Sequence, residues 1–415
     1  MATQQVEAVC ESAVPLFVAL DDIPANLSGR DRSLARAIIR ATVRRRGDID
    51  FVLARLLAKP LPKRAARVRA VLRMAAAQLL FMRQADHAAV SEAVELLKAD
   101  ASTGGFVGLA NAVLRRLVRE RETLLAALPV EANTPPWLYA RWVAHYGAKS
   151  AAAMADAHRE EPPLDLSLAP GTPMPEGAVA LPGGGARLPA TLVEGIDGYD
   201  AGQWWVQDFA AQLPAALLEP RAGMSVADLC AAPGGKTMQL AAAGATVTAV
   251  EQDGLRAMRL RDNLERTGLA ERVAVVEADA RQVEGVFDAV LLDAPCSSTG
   301  TMRRQPDVAW SKSKRDIDAL AKVQRTLIEH AATLVRPGGR LVFATCSLEP
   351  EEGEAHLTHV REAVPALQIE PIVSGPATAF VNADGAMRTL PFMALEPEGG
   401  LRGLDGFFAA RFRRI

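Results

Sequence analysis

Two rhythms of apolar residues divide the chain. Up to about residue 130, apolar positions recur at three- and four-residue steps in LARAIIRATV, FVLARLLAKPL, RVRAVLRMAAAQLLFM and FVGLANAVLRRLVRE. That spacing draws one apolar stripe along an α-helix. Pro60, Pro62 and Gly104-Gly105 punctuate the runs. EANTPPW, 131–137, reads as a linker followed by a short helix. Between Glu161 and Gly202 proline and glycine are dense, and strand-like runs (LDLSLAP, GAVALP, ATLVEG) alternate with turns, which predicts a small α+β subdomain. From about Gln207, MSVADLC, ATVTAVEQ, VAVVEADA, FDAVLLDAP and RLVFATCS read as strands separated by helical runs, with two last strands near ALQIEPIV and DGFFAARFRRI. Strand–helix alternation is the signature of a doubly wound sheet. The expectation is an all-α domain over 1–130, a linker helix and small α+β subdomain over 131–206, and an α/β domain with a seven-stranded, mostly parallel sheet over 207–415.

Composition narrows the class. At 415 residues the chain is too long for one ordinary core. It is 49% hydrophobic and 23% charged, and no stretch is long and apolar enough to span a bilayer. The start, MATQQVEAVCESAVPLFVAL, has no basic segment and carries acids, so no signal peptide is expected. Cys10, Cys230, Cys296 and Cys346 have neither metal-site nor disulfide-scaffold spacing. A cytoplasmic protein with reduced thiols, no metal and no membrane contact follows. The net charge of −2 conceals a basic run: Arg30 to Arg73 holds 14 Lys/Arg against three acids, Asp31, Asp48 and Asp50. Such a run reads either as a footprint for a phosphate backbone or as a solvated helix face.

Candidate chemistry sits at the strand ends. Cys296 and Cys346 close two consecutive strand-like runs, and in an open α/β sheet the carboxyl ends of the strands form the ligand crevice. If those strands are neighbours, about 4.8 Å apart, both thiols face one substrate. A thiolate is one of the few side chains able to add to an electron-poor ring carbon; the bland alternative is a pair of small apolar core residues. DLCAAPGGKTMQL, 228–240, is a strand, a Pro-Gly-Gly turn and a helix start, whose glycines allow close backbone approach and whose helix amides offer donors. It lacks the three-glycine dinucleotide spacing, and Cys230 stands where a P-loop requires its first glycine. Glu251 ends the next strand, where an acid can accept bonds from ribose hydroxyls. Asp279 ends the third, positioned either for the adenine side of the same ligand or to cap the following helix. Turn and acid together fit an adenosine-bearing cofactor better than a triphosphate.

Three segments, CAAPGGK (230–236), DAPCSSTG (293–300) and ATCS (344–347), with the later DGFF (405–408), resemble in order and spacing the RsmB/Sun-type, NOL1/NOP2/Sun family of RNA cytosine-C5 methyltransferases. The likeness spans roughly 137–415. It implies a Rossmann-like domain that holds S-adenosyl-L-methionine through Cys230, Ala231, Ala232, Pro233, Gly234, Gly235 and Lys236, with Glu251 at the ribose, Asp279 toward the adenine, and Asp293 between cofactor and base. The family's second-strand acid is often Asp; here it is the longer Glu251. DHAAVSEAVELLK (86–98) and GLANAVLRRLVRE (108–120) resemble the NusB-like helical domain attached to such enzymes, a resemblance spanning about 30–125 that implies RNA binding.

By that resemblance Cys346 is the nucleophile toward carbon 6 of cytosine, Cys296 assists release by helping to remove the carbon 5 proton, and Asp293 bonds ring nitrogen 3 and the exocyclic amine. Lys236 either lowers the thiolate pKa, bonds the base, or merely closes its turn. The implied partner is RNA, small-subunit (16S) ribosomal RNA ahead of transfer RNA, with the enzyme acting as a monomer. The rivals are a transfer-RNA or other RNA cytosine-C5 methyltransferase, a DNA cytosine methyltransferase, which would use the Pro-Cys cysteine as nucleophile, a P-loop ATPase, and a non-catalytic RNA-binding or transcription-accessory protein that needs only the first 130 residues.

Overall fold

The computed structural model describes residues 1–82, 84–189, 193–395 and 402–415. Its backbone groups into two units, residues 1–160 with 304–311, and residues 161–303 with 312–415. In the first unit the helical spacing becomes α1 (Ala2–Ser12), α2 (Leu16–Asp21), α3 (Gly29–Arg44), α4 (Arg46–Leu56), α5 (Ala66–Phe81), α6 (Asp86–Lys98), α7 (Val107–Ala126) and α8 (Pro136–Ala157). The Ser28 hydroxyl accepts the Asp31 N–H and caps α3. Helix α5 is the axis of this unit. Its Val71, Leu72, Ala75 and Leu79 join the apolar faces of α4, α6 and α7, while Ala70 and Met74 join α1 to α3. A helix wrapped on most sides must be apolar on most sides, which its alanine-rich sequence supplies.

The basic run is not one exposed face. Arg73 is buried on α5, its Nε 2.7 Å from Asp50 and its guanidinium also paired with Glu11. Arg69 pairs with the same Glu11 at 2.6 Å. Arg45 bonds Asp48 at 2.9 Å and lies over the Phe81 ring, and Arg46 lies over Trp310, 4.8 Å from its centroid. Arg30, Arg40, Arg55, Lys59, Lys63 and Arg64 are the members left exposed to solvent.

The linker region differs from its expected form. Helix α8 runs for 22 residues, kinked at Gly147 where φ is 79°, and it belongs with the helical unit. Asp48 is the reason. Fully buried on α4, it accepts from Arg45, from Asn133 at 2.7 Å and from Arg159 at 3.0 Å, so both ends of the segment around α8 are tied to one carboxylate.

In the second unit, β1 (Leu164–Leu168), β2 (Val179–Ala180), β3 (Ala186–Leu188) and β4 (Trp204–Val206) form an antiparallel sheet ordered β2-β3-β1-β4. The runs LDLSLAP and GAVALP become β1 and β2. Of ATLVEG, Ala190–Leu192 lie outside the described residues and Val193–Gly195 form a 3₁₀ turn rather than a strand. Buried polar bonds tie this small sheet to later parts of the chain. Arg187 makes a two-bond pair with Asp165 at 2.6 and 2.7 Å and donates to the carbonyls of Arg402 and Gly403, while Asp165 also accepts the Phe209 N–H. These bonds place the small sheet and the residues after 206 in one unit.

The large sheet contains β5 (Ser225–Leu229), β6 (Thr246–Glu251), β7 (Val273–Glu277), β8 (Phe287–Asp293), β9 (Val335–Thr345), β10 (Leu367–Ile369), β11 (Met387–Thr389) and β12 (Phe407–Arg414). The order is β10-β12-β9-β8-β5-β6-β7, with β11 also on β12. The seven expected strands are present and the three-residue β11 is the eighth. β9, β8, β5, β6 and β7 are parallel, and β10, β11 and β12 are antiparallel additions. Period-2 alternation sends Val226, Val247, Ala289 and Val342 to one face, with α9 (Phe209–Leu217), α10 (Gly235–Ala242) and α11 (Gly254–Arg266). Ala227, Val290, Leu341 and Phe343 go to the other, with α12 (Lys314–Leu334) and α13 (Ala355–Ala363). Among the described residues no helix is long and apolar enough to cross a membrane.

Asp48→Ala strands the Arg159 guanidinium without its buried partner, a defect that costs roughly 3–5 kcal/mol. Chemical denaturation should show the helical unit losing stability by that order. A loss below about 1 kcal/mol would mean that Asp48 is not what secures α8.

Candidate active site

The sheet reverses its winding between β5 and β8, and the crevice of an open α/β sheet opens at such a point, beyond the strands' carboxyl ends. Each singled-out side chain is at one of those ends: Cys230 after β5, Glu251 closing β6, Asp279 just past β7, Asp293 closing β8, and Cys346 after β9.

On one side of the switch point the chain leaves β5 through Cys230, whose φ of 64° is left-handed, and Gly234, whose φ of 108° places it as the N-cap of α10. A β-carbon on Gly234 would stand 2.5 Å from the Leu260 side chain, so the turn lies flush on α11. Helix α11 also grips the turn's carbonyls, Arg256 donating to Ala232 and Asn263 to Pro233 at 2.9 Å. Burial pushes the Cys230 thiol up to about 12, with Asp293 and Glu251 adding to the shift, so it stays neutral. Glu251 is buried; its Oε1 accepts the Asp253 N–H at 3.1 Å, and its Oε2 has no hydrogen-bond partner, only Arg256 at 3.4 Å. A buried carboxylate oxygen without a donor beside a glycine turn fits a ligand hydroxyl of the ribose kind. Asp279 caps a 3₁₀ turn through the Arg281 N–H at 2.9 Å, and the Arg281 side chain and this N–H hold its carboxyl down at about 2. The capping role is occupied.

On the other side, Asp293 Oδ2 accepts from Lys236 Nζ at 2.7 Å, and the same ammonium lies 5.2 Å from the centroid of Phe407 on β12. Burial works against the Lys236 charge, but the charge and hydrogen bond of Asp293 hold its pKa above the ordinary value on balance. The register that pairs Asp293 with Ala344 carries β8 and β9 out together. Beyond it Cys296 Sγ and Cys346 Sγ are 3.4 Å apart, with Ser298 Oγ 3.6 Å from Cys346. The two thiols are unequal. The hydrogen bond from Cys296 lowers the Cys346 pKa against its burial and the repulsion of Asp293, and Ser298 and Lys236 add to the lowering. The same bond, then burial, raises Cys296 well above its ordinary value. Of the two sulfurs, Cys346 is therefore the one whose thiolate form the site favours.

The loops fit closely. Gly300 donates to the Cys346 carbonyl at 3.0 Å and accepts from Gly406 at 2.8 Å, and a β-carbon on Gly300 would fall 1.8 Å from the Gly406 oxygen. A β-carbon on Gly406 would in turn stand 2.5 Å from the Leu348 side chain and 2.9 Å from the Gly300 α-carbon, which explains the DGFF glycine. Sequence reasoning did not assign Ser298, although it lies within DAPCSSTG, nor Arg256 and Phe407. All four cysteines are free, and among the described residues no cluster of metal-ligating side chains occurs.

Residues 215–413 match the family described as 16S rRNA methyltransferase RsmB/F, and residues 5–119 match the NusB family. A ribosomal RNA small subunit methyltransferase B of Sodalis glossinidius is 35% identical over 379 residues, covering 86% of this chain and 87% of its own length. The protein of the same name from Salmonella arizonae is 33% identical, covering 99% and 97%. The crystal structure of PH0851 matches with a TM-score of 0.74 at 23% identity over 99% of this chain and 97% of its own, a likeness of fold.

Asp228, fully buried at the end of β5, accepts from Thr237 Oγ1 at 2.6 Å, while its Oδ1 has no hydrogen-bond partner. Burial pushes its pKa from 3.8 up to about 7, opposed by the Thr237 bond and aided by Asp293. The folded chain thus keeps a proton that the unfolded chain has released. The associated stability is fully present below 3.8 and is lost as pH rises through about 7. Asp228→Asn removes that titration, so its melting temperature relative to the wild type should rise as pH goes from about 4 to about 8. A difference independent of pH would mean that Asp228 is ionised throughout.

Proposed function

We infer function from membership: the chain belongs to the 16S rRNA methyltransferase RsmB/F family, enzymes that transfer a methyl group from S-adenosyl-L-methionine to carbon 5 of an RNA cytosine. We propose that its substrate is a cytosine of small-subunit ribosomal RNA, as the names of its relatives suggest, and that Cys346 and Cys296 carry the chemistry. The observation behind the assignment is the 3.4 Å thiol pair at the ends of two paired strands, polarised toward a Cys346 thiolate.

Cytosine carbon 5 is a poor nucleophile. Cys346 Sγ bonds to carbon 6 and drives an electron pair toward carbon 5. When bound, the donor supplies an electrophilic methyl carbon on a sulfonium and departs as a thioether. Once Cys346 is bonded to carbon its negative charge is gone, and with it the repulsion that held the proton on Cys296. Cys296 gives that proton to water and takes the carbon 5 proton. The electron pair of that C–H bond restores the ring double bond and expels Cys346 as thiolate. Asp293, anchored by Lys236, faces nitrogen 3 and the exocyclic amine, and the Lys236 charge favours the Cys346 thiolate. The turn at 230–236, with Glu251 at the ribose and Asp279 toward the adenine, holds the donor. With every candidate residue in one chain, the proposal extends to a monomer, and free cysteines accord with a cytoplasmic location. The helical unit is proposed to bind RNA through the exposed members of its basic run.

Cys346→Ala should abolish methyl transfer from labelled donor while donor affinity stays near normal; turnover within about tenfold of wild type removes it from the nucleophile role. Cys296→Ala should trap RNA as an adduct stable to denaturing electrophoresis, and the double Cys→Ala variant should not. Bisulfite sequencing of ribosomal and transfer RNA from cells with and without the protein separates the two substrates.

Replacing Arg40, Lys59, Lys63 and Arg64 with Ala should weaken RNA binding and flatten its salt dependence by roughly 0.7–0.9 in log K against log salt for each phosphate no longer neutralised. Arg45 and Arg46 are unsuitable probes, because they hold Asp48 and Trp310. An unchanged slope assigns these side chains to a solvated face.

A further inference from the structure

Glu352 enters no step described above, yet its side chain is fully buried, and among the described residues no lysine or arginine pairs with it. An unpaired carboxylate in a protein interior costs several kcal/mol unless donors surround it. Here they do. Oε1 accepts the Ser297 N–H at 2.9 Å and Gln324 Nε2 at 3.2 Å; Oε2 accepts the Ser347 hydroxyl at 2.6 Å and the Ser297 hydroxyl. The Glu352 backbone carbonyl accepts from Thr345 Oγ1 at 2.9 Å. Gln324, on α12, donates in addition to the Pro295 carbonyl at 2.8 Å. Its amide orientation is fixed, because the Pro295 oxygen can only accept and because His356 Nε2 lies 2.8 Å from Oε1. Burial holds His356 down at about 3, so the imidazole is a neutral donor at any working pH.

The residues so held are telling. Pro295 and Ser297 flank Cys296, and Thr345 and Ser347 flank Cys346. All four neighbours of the two cysteines end on Glu352 or on its partner Gln324. Packing alone would be served by an apolar side chain, whereas a fully satisfied buried polar network fixes one geometry.

We propose that Glu352 is a positioning residue that sets the separation of the Cys296 and Cys346 thiols by clamping the loops that carry them. Its catalytic consequence rests on the assignment of those cysteines as the reacting pair; the separation itself is measurable without turnover. Phenylarsine oxide condenses with two thiols, each losing its proton to form an As–S bond while the oxide oxygen leaves as water, with arsenic remaining trivalent. It reports whether two sulfurs are held together.

The experiment titrates phenylarsine oxide, in competition with a small dithiol, against wild type, Cys296→Ala, Cys346→Ala and Glu352→Gln, with donor binding and melting temperature recorded for each. Gln keeps the shape but offers one acceptor oxygen in place of two. Wild type should take one arsenical across the pair, either cysteine variant should lose it, and Glu352→Gln should bind at least about tenfold more weakly while still binding donor. In turnover, Glu352→Gln should lower kcat by about 10²-fold with little change in KM, and should accumulate the covalent RNA adduct as release falls behind attack. If Glu352→Gln fails to fold, Ser297→Ala, which removes one donor and no charge, should give a smaller loss of the same kind. Wild-type arsenical affinity in a folded Glu352→Gln or Ser297→Ala chain, or no pairwise binding by wild type, overturns the inference. Lost affinity in Glu352→Gln alongside retained turnover in Cys346→Ala would sink the nucleophile assignment and leave the clamp standing.

Discussion

β8 and β9 lie side by side in parallel from Phe287 opposite Val335 to Asp293 opposite Ala344, and directly beyond that last pair each strand gives way to a cysteine loop. The chemistry inherits its geometry from this pairing. A slip of one residue would turn alternate side chains to the opposite face, exchanging Val342 and Ala344 on one face for Leu341 and Phe343 on the other, and the buried clusters on both faces forbid it. The strand cores thus do the coarse alignment of the two thiols. The finer adjustment is left to polar atoms in the loops, where apolar packing has little directional preference.

Electrostatics in the crevice follow from burial. In a low dielectric an unpaired charge is costly, so each ionisable group there either finds a partner or changes its protonation. Lys236 and Asp293 pair; the bond between the two thiols lowers the Cys346 pKa and raises that of Cys296; Cys230 remains a thiol; Asp228 shifts toward its neutral form. The result is a site whose titratable groups are held away from their ordinary pKa values. The two cysteines, similar in exposure, are shifted in opposite directions by the bond between them, with Lys236 adding to the lowering at Cys346.

The seven expected strands of the large sheet were legible because each lies in a short apolar run closed by turn residues, and so were the strand-end positions of Cys296 and Cys346. Strands β3, β4 and β11, which were not read from the sequence, are three residues long, too short to establish a period. Helix α8 was underestimated because Gly147 interrupts its apolar stripe. Charge counting found the Arg30–Arg73 run but not its direction: Glu11 and Asp50, which neutralise Arg73, are ordinary surface acids until α1, α4 and α5 pack. In EPEEGE the acids are indistinguishable by sequence; Glu349 and Glu352 are both fully buried, and what marks Glu352 is its set of bonds to Ser297, Ser347 and Gln324, which only the folded chain reveals.

The place of β12 in the sheet bears on when the enzyme comes into being. This strand inserts between β9 and β10, and it brings Gly406 against Gly300 and the Phe407 ring over Lys236. Both cysteines, the glycine turn and all the acids are translated well before it. A growing polypeptide that has emerged only as far as α13 therefore has its reactive thiols but neither the ring over the lysine nor the glycine that seats the first cysteine loop, and β9 still offers an open edge. Until β12 pairs with β9, the thiols can be in place while their surroundings are incomplete and the β9 edge is open to aberrant pairing.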